Sequence, residues 1–462
     1  MKQSKLFTLA FLLGTGFLFS CDPDEDPTPP VDPSSESAVN DWIFEVMSQV
    51  YYWLDDMNTP IAADSDPEDY FESLLNRPTD RFSAIYPNYQ DLINALSGVT
   101  LEAGYEFTLF RESQSNENVV AEITYIKKNS PAASAGLMRG DIINEINGVQ
   151  MTLTNYQQVL GDISSTHTVN YLRFNEELNG YEAKEEVTMN TIELAENPVF
   201  IDTVYTIDNS KIGYLMYNFF APGTGGSNTT YDQEIDAVFA KFKNESIQHL
   251  IVDLRYNGGG YVTSAVNLAS LIGPGVGASD IFSKTKYNSF LSQYDDFKNV
   301  QTPFKAKAEN LGATLEGNRV YILTSERTAS ASELLVNGLK PYMDVFLIGD
   351  VTYGKNVGSI AFEDEENDSN PYGILPIVSQ SFNSLDQSDY TTGFSPNIEV
   401  IEFTERLLPL GDTQEIMLRT AIEQITGTAS SLRVEKLDRQ EMGSSLDKKV
   451  RQGIMIENKR LN

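Results

Sequence analysis

Ser330 and Lys355 are the side chains whose types and settings suit nucleophilic catalysis without a histidine. Ser330 stands in Thr328-Ala329-Ser330-Ala331-Ser332-Glu333 and Lys355 in Thr352-Tyr353-Gly354-Lys355. A serine hydroxyl is a weak nucleophile until a neighbouring base takes its proton, and a lysine desolvated among apolar walls can be that base. The chain has only two histidines, His167 and His249, and no motif places either as a base. A third element is Ile251-Val252-Asp253-Leu254-Arg255-Tyr256-Asn257-Gly258-Gly259-Gly260, an apolar strand running into glycines whose amides can face a ligand unobstructed. The Ser330 segment begins a helix, and helix-start amides favour developing negative charge. Glycine amide plus helix-start amide outline an oxyanion hole. Taken singly, a serine at a helix start reads as a cap and Gly-Lys as a solvated turn; only their conjunction points to chemistry. The Gly-x-Ser-x-Gly elbow of α/β-hydrolases is absent around Ser330.

These segments sit in a region, 195–425, where strands and helices alternate. Ile212 to Phe220, Leu250 to Leu254, Val320 to Thr324 and Val345 to Ile348 read as strands. Asp232 to Phe242, Thr263 to Leu271 and Ser332 to Leu339 read as helices. The alternation predicts an α/β core with a mainly parallel sheet. Upstream, over 39–94, Ile43, Val46, Met47, Val50 and Leu54 recur at helical spacing from a cap at Asn40, and a second helix spans about Asp69 to Leu75. The aromatic residues here read as core.

Between these regions, over 95–194, strand-like Val119 to Ile126 and Thr168 to Phe174 flank a short alanine-rich helix stopped by Gly136, a Gly140-Asp141 turn, a strand and an Asn147-Gly148 hairpin. This stretch resembles a PDZ domain, a module that takes an extended peptide as an added strand. The resemblance places its carboxylate-binding loop at Gly98, Val99, Thr100 and Leu101, with Thr100 where related proteases usually have a second glycine. The sequence leaves open whether the module activates, tethers or only packs as a lid.

Asp-Leu-Arg-x-Asn-x-Gly-Gly, then Thr-Ala-Ser-Ala-Ser-Glu, then Tyr-Gly-Lys, in that order and behind a PDZ-like module, resemble the C-terminal processing (tail-specific) serine peptidases over about residues 40–405. The segment Gly393-Phe394-Ser395-Pro396-Asn397 is similar to one near the end of their core. The resemblance implies a ClpP/crotonase-like α/β peptidase core with a PDZ-like β-rich module and a small helical N-terminal region. It also implies a serine-type endopeptidase cutting proteins or peptides near flexible C-termini, with Ser330 as nucleophile, Lys355 as general base and the amides of Gly260 and Ala331 as oxyanion hole. Members of the family often carry a glutamine four residues after the lysine to orient its amine; Ser359 stands there instead, with Asn356 and Ser332 as other candidates. The same fold also admits a catalytically silent surface lipoprotein that binds peptides or apolar ligands.

The ends and the composition bound where such a protein works. Lys2 and Lys5 followed by the apolar Leu6 to Phe19 read as an export signal over 1–20, and Leu18-Phe19-Ser20-Cys21 resembles a bacterial lipobox around the only cysteine. The reading is a lipoprotein of the cell envelope, anchored to the outer membrane through Cys21, on its periplasmic or surface side. Residues 21–38 form an acidic, proline-rich tether. A net charge of −33 argues against nucleic acid as a partner. Two isolated histidines and one cysteine leave only carboxylates as metal ligands, and neither metal nor cofactor is expected. The tail, 426–462, mixes charges of both signs with few apolar anchors and reads as mobile. Oligomeric state and substrate identity are not legible.

Overall fold

The computed structural model describes residues 32–428 and 436–457. The export segment, Cys21 and most of the tether lie outside the described residues. The helix Glu36–Val50 starts earlier than its apolar spacing suggests, because Ser35 caps it by accepting the Ala38 amide at 3.3 Å. Asn40, expected as the cap, is buried within the helix and donates to the Ala63 and Ser65 carbonyls. Ile43 and Met47, one turn apart, pack with Tyr70, Phe71 and Leu74 of helix Pro67–Leu74 into a small core of their own.

In the α/β region, among the described residues, six strands lie in the order Val199–Ile207, Ser210–Tyr217, His249–Asp253, Arg319–Thr324, Asp344–Gly349, Ile398–Glu399. The first pair is antiparallel and every later pairing is parallel. Strands buried on both faces must be apolar throughout, and Leu250, Ile251 and Val252 are fully buried. Helices Thr230–Asn244, Val262–Ile272 and Ala331–Leu339 cover one face, sharing a core with Leu215, Leu250 and Ile322; helix Ile416–Thr426 covers the other, packing Met417, Leu418 and Ala421 near Tyr214 and Ile251.

This topology does the positioning. Adjacent parallel strands His249–Asp253, Arg319–Thr324 and Asp344–Gly349 all end at one edge, and the chain leaving them carries the glycine cluster, Ser330 and Lys355 in turn. Open parallel sheets build their sites at the carboxyl ends of strands for this reason.

The PDZ-like module has its own sheet and core, with Phe107, Ile123, Ile143 and Val169 inside. Asn147 and Gly148, both at positive φ, turn Ile142–Ile146 into Val149–Gln150 as the Asn-Gly pair predicts. The tail departs from the sequence reading. Glu441–Ser444 joins the edge of the PDZ-like sheet, and Ile454–Ile456 joins a mixed sheet between Gly259–Tyr261 and Val357–Ser359. Its charges find individual partners: Arg451 pairs with Glu196, and Lys449 with Glu102 and Glu106 at 2.8 Å.

Candidate active site

Ser330 is fully buried at the start of helix Ala331–Leu339, and its backbone is strained, with φ 62° and ψ −110°. A non-glycine residue held there costs about 1–3 kcal/mol and persists only where its surroundings impose it. They do so from both sides. Thr328 Oγ1 donates to the Leu254 carbonyl at 2.8 Å, while the Ala329 amide and Ser332 Oγ both donate to the Asn257 carbonyl at 3.1 Å. The turn before the helix is thereby stitched to the end of the neighbouring strand. The Ser330 hydroxyl itself has no hydrogen-bond partner among the described residues.

Glu333 binds the Ser330 and Lys355 segments to each other. Its Oε2 accepts the Ser330 and Lys355 amides, each at 2.8 Å, and its Oε1 accepts the Gly354 amide at 2.8 Å and Thr352 Oγ1 at 2.6 Å. Burial pushes this carboxyl above its usual range, and the four donors pull the other way. The Ser-x-x-Glu spacing is that of a capping box, a signal readable in the sequence, although its second role across to Lys355 is not.

Lys355 is fully buried. Its ammonium has lost water without gaining a close carboxylate, so burial pushes its pKa down from the ordinary 10.5 to about 7 against the opposing pull of Asp80 and Glu333. The turn Asp80-Arg81-Phe82 of the N-terminal region closes over it: the Phe82 ring centre lies 4.8 Å from Nζ, and Arg81 donates to the Gly354 carbonyl at 3.0 Å. The sequence shows this turn only as part of a separate helical region. In this state Nζ donates to the Gly453 carbonyl at 2.5 Å and not to Ser330.

The glycine strand supplies the third wall. A side chain on Gly260 would put its Cβ 2.0 Å from the Phe220 carbonyl oxygen, and one on Gly259 would lie 2.8 Å from Ser330 Cβ. Only glycines allow that approach. The Gly259 amide is taken by Asn257 Oδ1 at 2.9 Å, whereas Ala331 is the first residue of its helix, where an amide has no intrahelical acceptor. Around the Glu333 carboxylate the fold thus gathers a strained serine, a buried lysine whose pKa falls to about 7 and the first amide of a helix.

Other expected site residues fall differently. Ser359, expected to orient the lysine, makes no hydrogen bond to it among the described residues; its carbonyl accepts the Glu457 amide at 3.0 Å. Asn356 turns to Ser388, and Ser332 to Asn257. Gly98, Val99, Thr100 and Leu101 do not form a carboxylate loop: Val99–Glu102 is a strand paired with Ile192–Ala195, and Gly98 packs on the Phe219 ring. The groove of the module is a cavity of about 370 Å³ lined by Leu101, alone of the four expected residues, and by Ala103, Gly104, Phe107, Leu160 and Ile163 among others, and Gly104 at φ +85° makes the turn at its end. Arg255 of the Asp-Leu-Arg motif is structural. Fully buried, it bonds Asp253 at 2.7 Å, Glu402 at 2.8 Å and Glu415 at 2.7 Å. Burial pushes the Glu402 carboxyl up, but Arg139 and Arg255 outweigh it and hold it at about 2. His167 bonds Tyr105 inside the PDZ-like module, and His249 lies 3.8 Å from Glu316.

Residues 211–400 match the family model described as Peptidase family S41, residues 38–84 the Peptidase S41 N-terminal domain, and residues 122–173 a PDZ domain. A Staphylococcus aureus protein named as a CtpA-like serine protease is 25% identical over 239 residues, 51% of this chain and 42% of that one. A Staphylococcus epidermidis protein of the same description is 23% identical over 256 residues, 54% of this chain and 45% of that one. The chain spans less than half the length of these curated relatives. A solved structure from Bacteroides fragilis, assigned to the S41 proteases, has a TM-score of 0.71 at 28% identity and covers 84% of this chain and 98% of that one.

Proposed function

The chain belongs to peptidase family S41, and from that premise we propose that it is a serine endopeptidase of the C-terminal processing type, acting through Ser330 and Lys355. The observation that carries this reading is a single carboxylate, Glu333, pinning a strained serine with a free hydroxyl to a fully buried lysine whose amine is half neutral near pH 7. Neutral Lys355 takes the Ser330 proton as Oγ attacks the substrate carbonyl carbon. The amides of Gly260 and Ala331 hold the oxyanion, each worth about 3 kcal/mol when well placed. The tetrahedral adduct collapses as the peptide C–N bond breaks, with the Lys355 proton passing to the leaving amine. Lys355 then takes a proton from water as its oxygen attacks the Ser330 ester; when the C–Oγ bond breaks, that proton passes from Lys355 to Oγ and the acid leaves. Lys355 must leave the Gly453 carbonyl to act. Substrates are proteins or peptides with flexible, apolar C-terminal segments, met first by the PDZ-like groove.

Purified protein should degrade an unfolded test substrate, and Ser330→Ala and Lys355→Ala should each abolish cleavage. Cleavage surviving in both variants would refute the mechanism.

The same reading places the enzyme in the bacterial envelope, held to the outer membrane by lipid on Cys21, with membrane contact through that anchor alone. It rests on the basic start, the apolar stretch and the lipobox-like Leu18-Phe19-Ser20-Cys21. The charge of −33 supports a partner set without nucleic acid. Labelled fatty acid should enter the wild-type protein in a lipoprotein-processing host and be absent from Cys21→Ser; equal labelling would end this part of the reading.

A further inference from the structure

The segment from Glu441 to Glu457 lies along both surfaces that a peptide substrate needs. Glu441–Ser444 pairs antiparallel with Tyr105–Arg111 at the edge of the PDZ-like sheet, Glu441 opposite Phe110 and Ser444 opposite Thr108, and Ser445 Oγ accepts the Phe107 amide at 2.9 Å. Strand addition of this kind is how such modules take peptides. Further on, Ile454–Ile456 runs parallel to Gly259–Tyr261 on one side and to Val357–Ser359 on the other. It fills the seam between the glycine strand and the strand just after Lys355.

Its main chain is bonded both to the glycine segment and to Lys355. The Gly453 amide donates to the Gly258 carbonyl at 2.9 Å, and the Gly453 carbonyl takes the Lys355 amine. A Cβ on Gly259 would lie 2.4 Å from the Ile454 carbonyl oxygen and 2.8 Å from Ser330 Cβ, so this carbonyl lies beside the serine. The side chains fill built places. Met455 is fully buried in the main core, with Ser381 Oγ 3.4 Å from its sulfur, while Ile454 and Ile456 pack with Leu92, Leu96 and Leu375. Between the two strands, Asp447 bonds Arg327 at 2.9 Å, Lys449 bonds Glu102 at 2.8 Å and Arg451 pairs with Glu196.

We infer that residues 441–457 are an internal ligand of this peptidase, occupying its peptide-binding edge and its catalytic seam together, and that a substrate must displace them. The inference rests on the peptidase reading under Proposed function. The hold is non-productive, because the lysine amine sits on the Gly453 carbonyl and the serine hydroxyl has no partner among the described residues to take its proton. A competing substrate has to offer an extended run of apolar side chains for the places of Ile454, Met455 and Ile456.

The test compares the full wild-type chain with an Ile454→Asp/Ile456→Asp double variant, which sets carboxylates against the Leu92, Leu96 and Leu375 wall. Two readouts are taken: KM and kcat on an unfolded protein substrate, and the rate of Ser330 labelling by a fluorophosphonate. The variant should show KM at least tenfold lower with kcat nearly unchanged and labelling faster by a similar factor. A synthetic peptide of residues 449–457 should restore inhibition competitively. Met455→Ser should move the same quantities in the same direction by less, and it decides the matter if the double variant does not melt as a folded protein. Equal Ser330-dependent cleavage and labelling in wild type and folded variants would overturn the internal ligand while leaving the peptidase standing. So would a wild-type chain cut within 441–457 where Ser330→Ala stays intact, since the segment would then be an ordinary substrate in cis. No Ser330-dependent cleavage or labelling in any background would overturn the peptidase itself, and this inference with it.

Discussion

The pH dependence of the proposed cleavage should be that of one buried amine. Lys355 has its pKa pushed down from 10.5 to about 7 by burial, against Asp80 and Glu333. At pH 7 an ordinary lysine is neutral in roughly one molecule in 3,000, whereas Lys355 is neutral in about one in two, a gain of about 1,500-fold in usable base. The kcat/KM profile reports the resting enzyme, so it should rise tenfold per pH unit below about 6.5 and level above about 8. Lys355→Arg, charged throughout, should lose at least about a thousandfold at pH 8. Asp80→Asn keeps an oxygen for the Phe82 and Ser83 amides but removes a charge that favours the ammonium, so its profile should move to lower pH. A profile flat from pH 5 to 9, or one with its midpoint near 10, would show that Lys355 is not the titrating base.

The same burial sets a stability signature. Between about pH 7 and 10.5 the unfolded chain holds a proton on Lys355 that the folded chain has lost, so this residue makes stability rise with pH across that window. Below it, burying the charge costs about 5 kcal/mol, from about 3.5 pKa units at 1.36 kcal/mol each. Lys355→Met should therefore melt higher than wild type at pH 7, and the difference should shrink toward pH 10. A variant that melts lower at pH 7 would mean that the amine is better paired than its surroundings indicate.

Glu333→Gln presents an amide donor to a nest of donors; kcat should fall about 10–100-fold with KM little changed, measured beside a melt to separate positioning from unfolding. Arg255→Met strands Asp253, Glu402 and Glu415 as buried carboxylates and should cost about 3–5 kcal/mol in urea denaturation; a loss under about 1 kcal/mol would show that the network is wetter than its burial implies. Gly260→Ala drives a methyl into the Phe220 carbonyl at φ +130° and should lower stability by about 2–5 kcal/mol; an unchanged denaturation midpoint would contradict the close approach.

The scaffold was legible because local pattern encodes it. Leu250-Ile251-Val252 and Val320 to Thr324 could only be buried strands, and the residues just beyond each, glycines in one case and Thr-Ala-Ser in the other, had to lie at a strand end. What each residue does for another segment was not legible. Glu333 shows its capping spacing to Ser330, but its bonds to residues 352–355 exist only because Arg319–Thr324 and Asp344–Gly349 are neighbours in the sheet. The sequence places the groove too early for the same reason. Gly98 and Gly104 look alike as turn glycines, and pairing of Val99–Glu102 with Ile192–Ala195 decides which one ends the groove.

The tail makes the sharper case. Lys449 and Arg451 with the acids around them have the composition of a solvated end, and composition is a sound guide when a segment must supply its own core. This one supplies none. Its cations meet Glu102 and Glu196 at the junction of PDZ-like module and core, and Ile454 and Ile456 share a core with Leu92, Leu96 and Leu375. A segment whose order comes from contacts with distant parts of the chain cannot be judged from its own composition. Its order is set by partners far away in the chain, which is why the strand ends around Ser330 and Lys355 are legible in the sequence and the strand Ile454–Ile456 beside them is not.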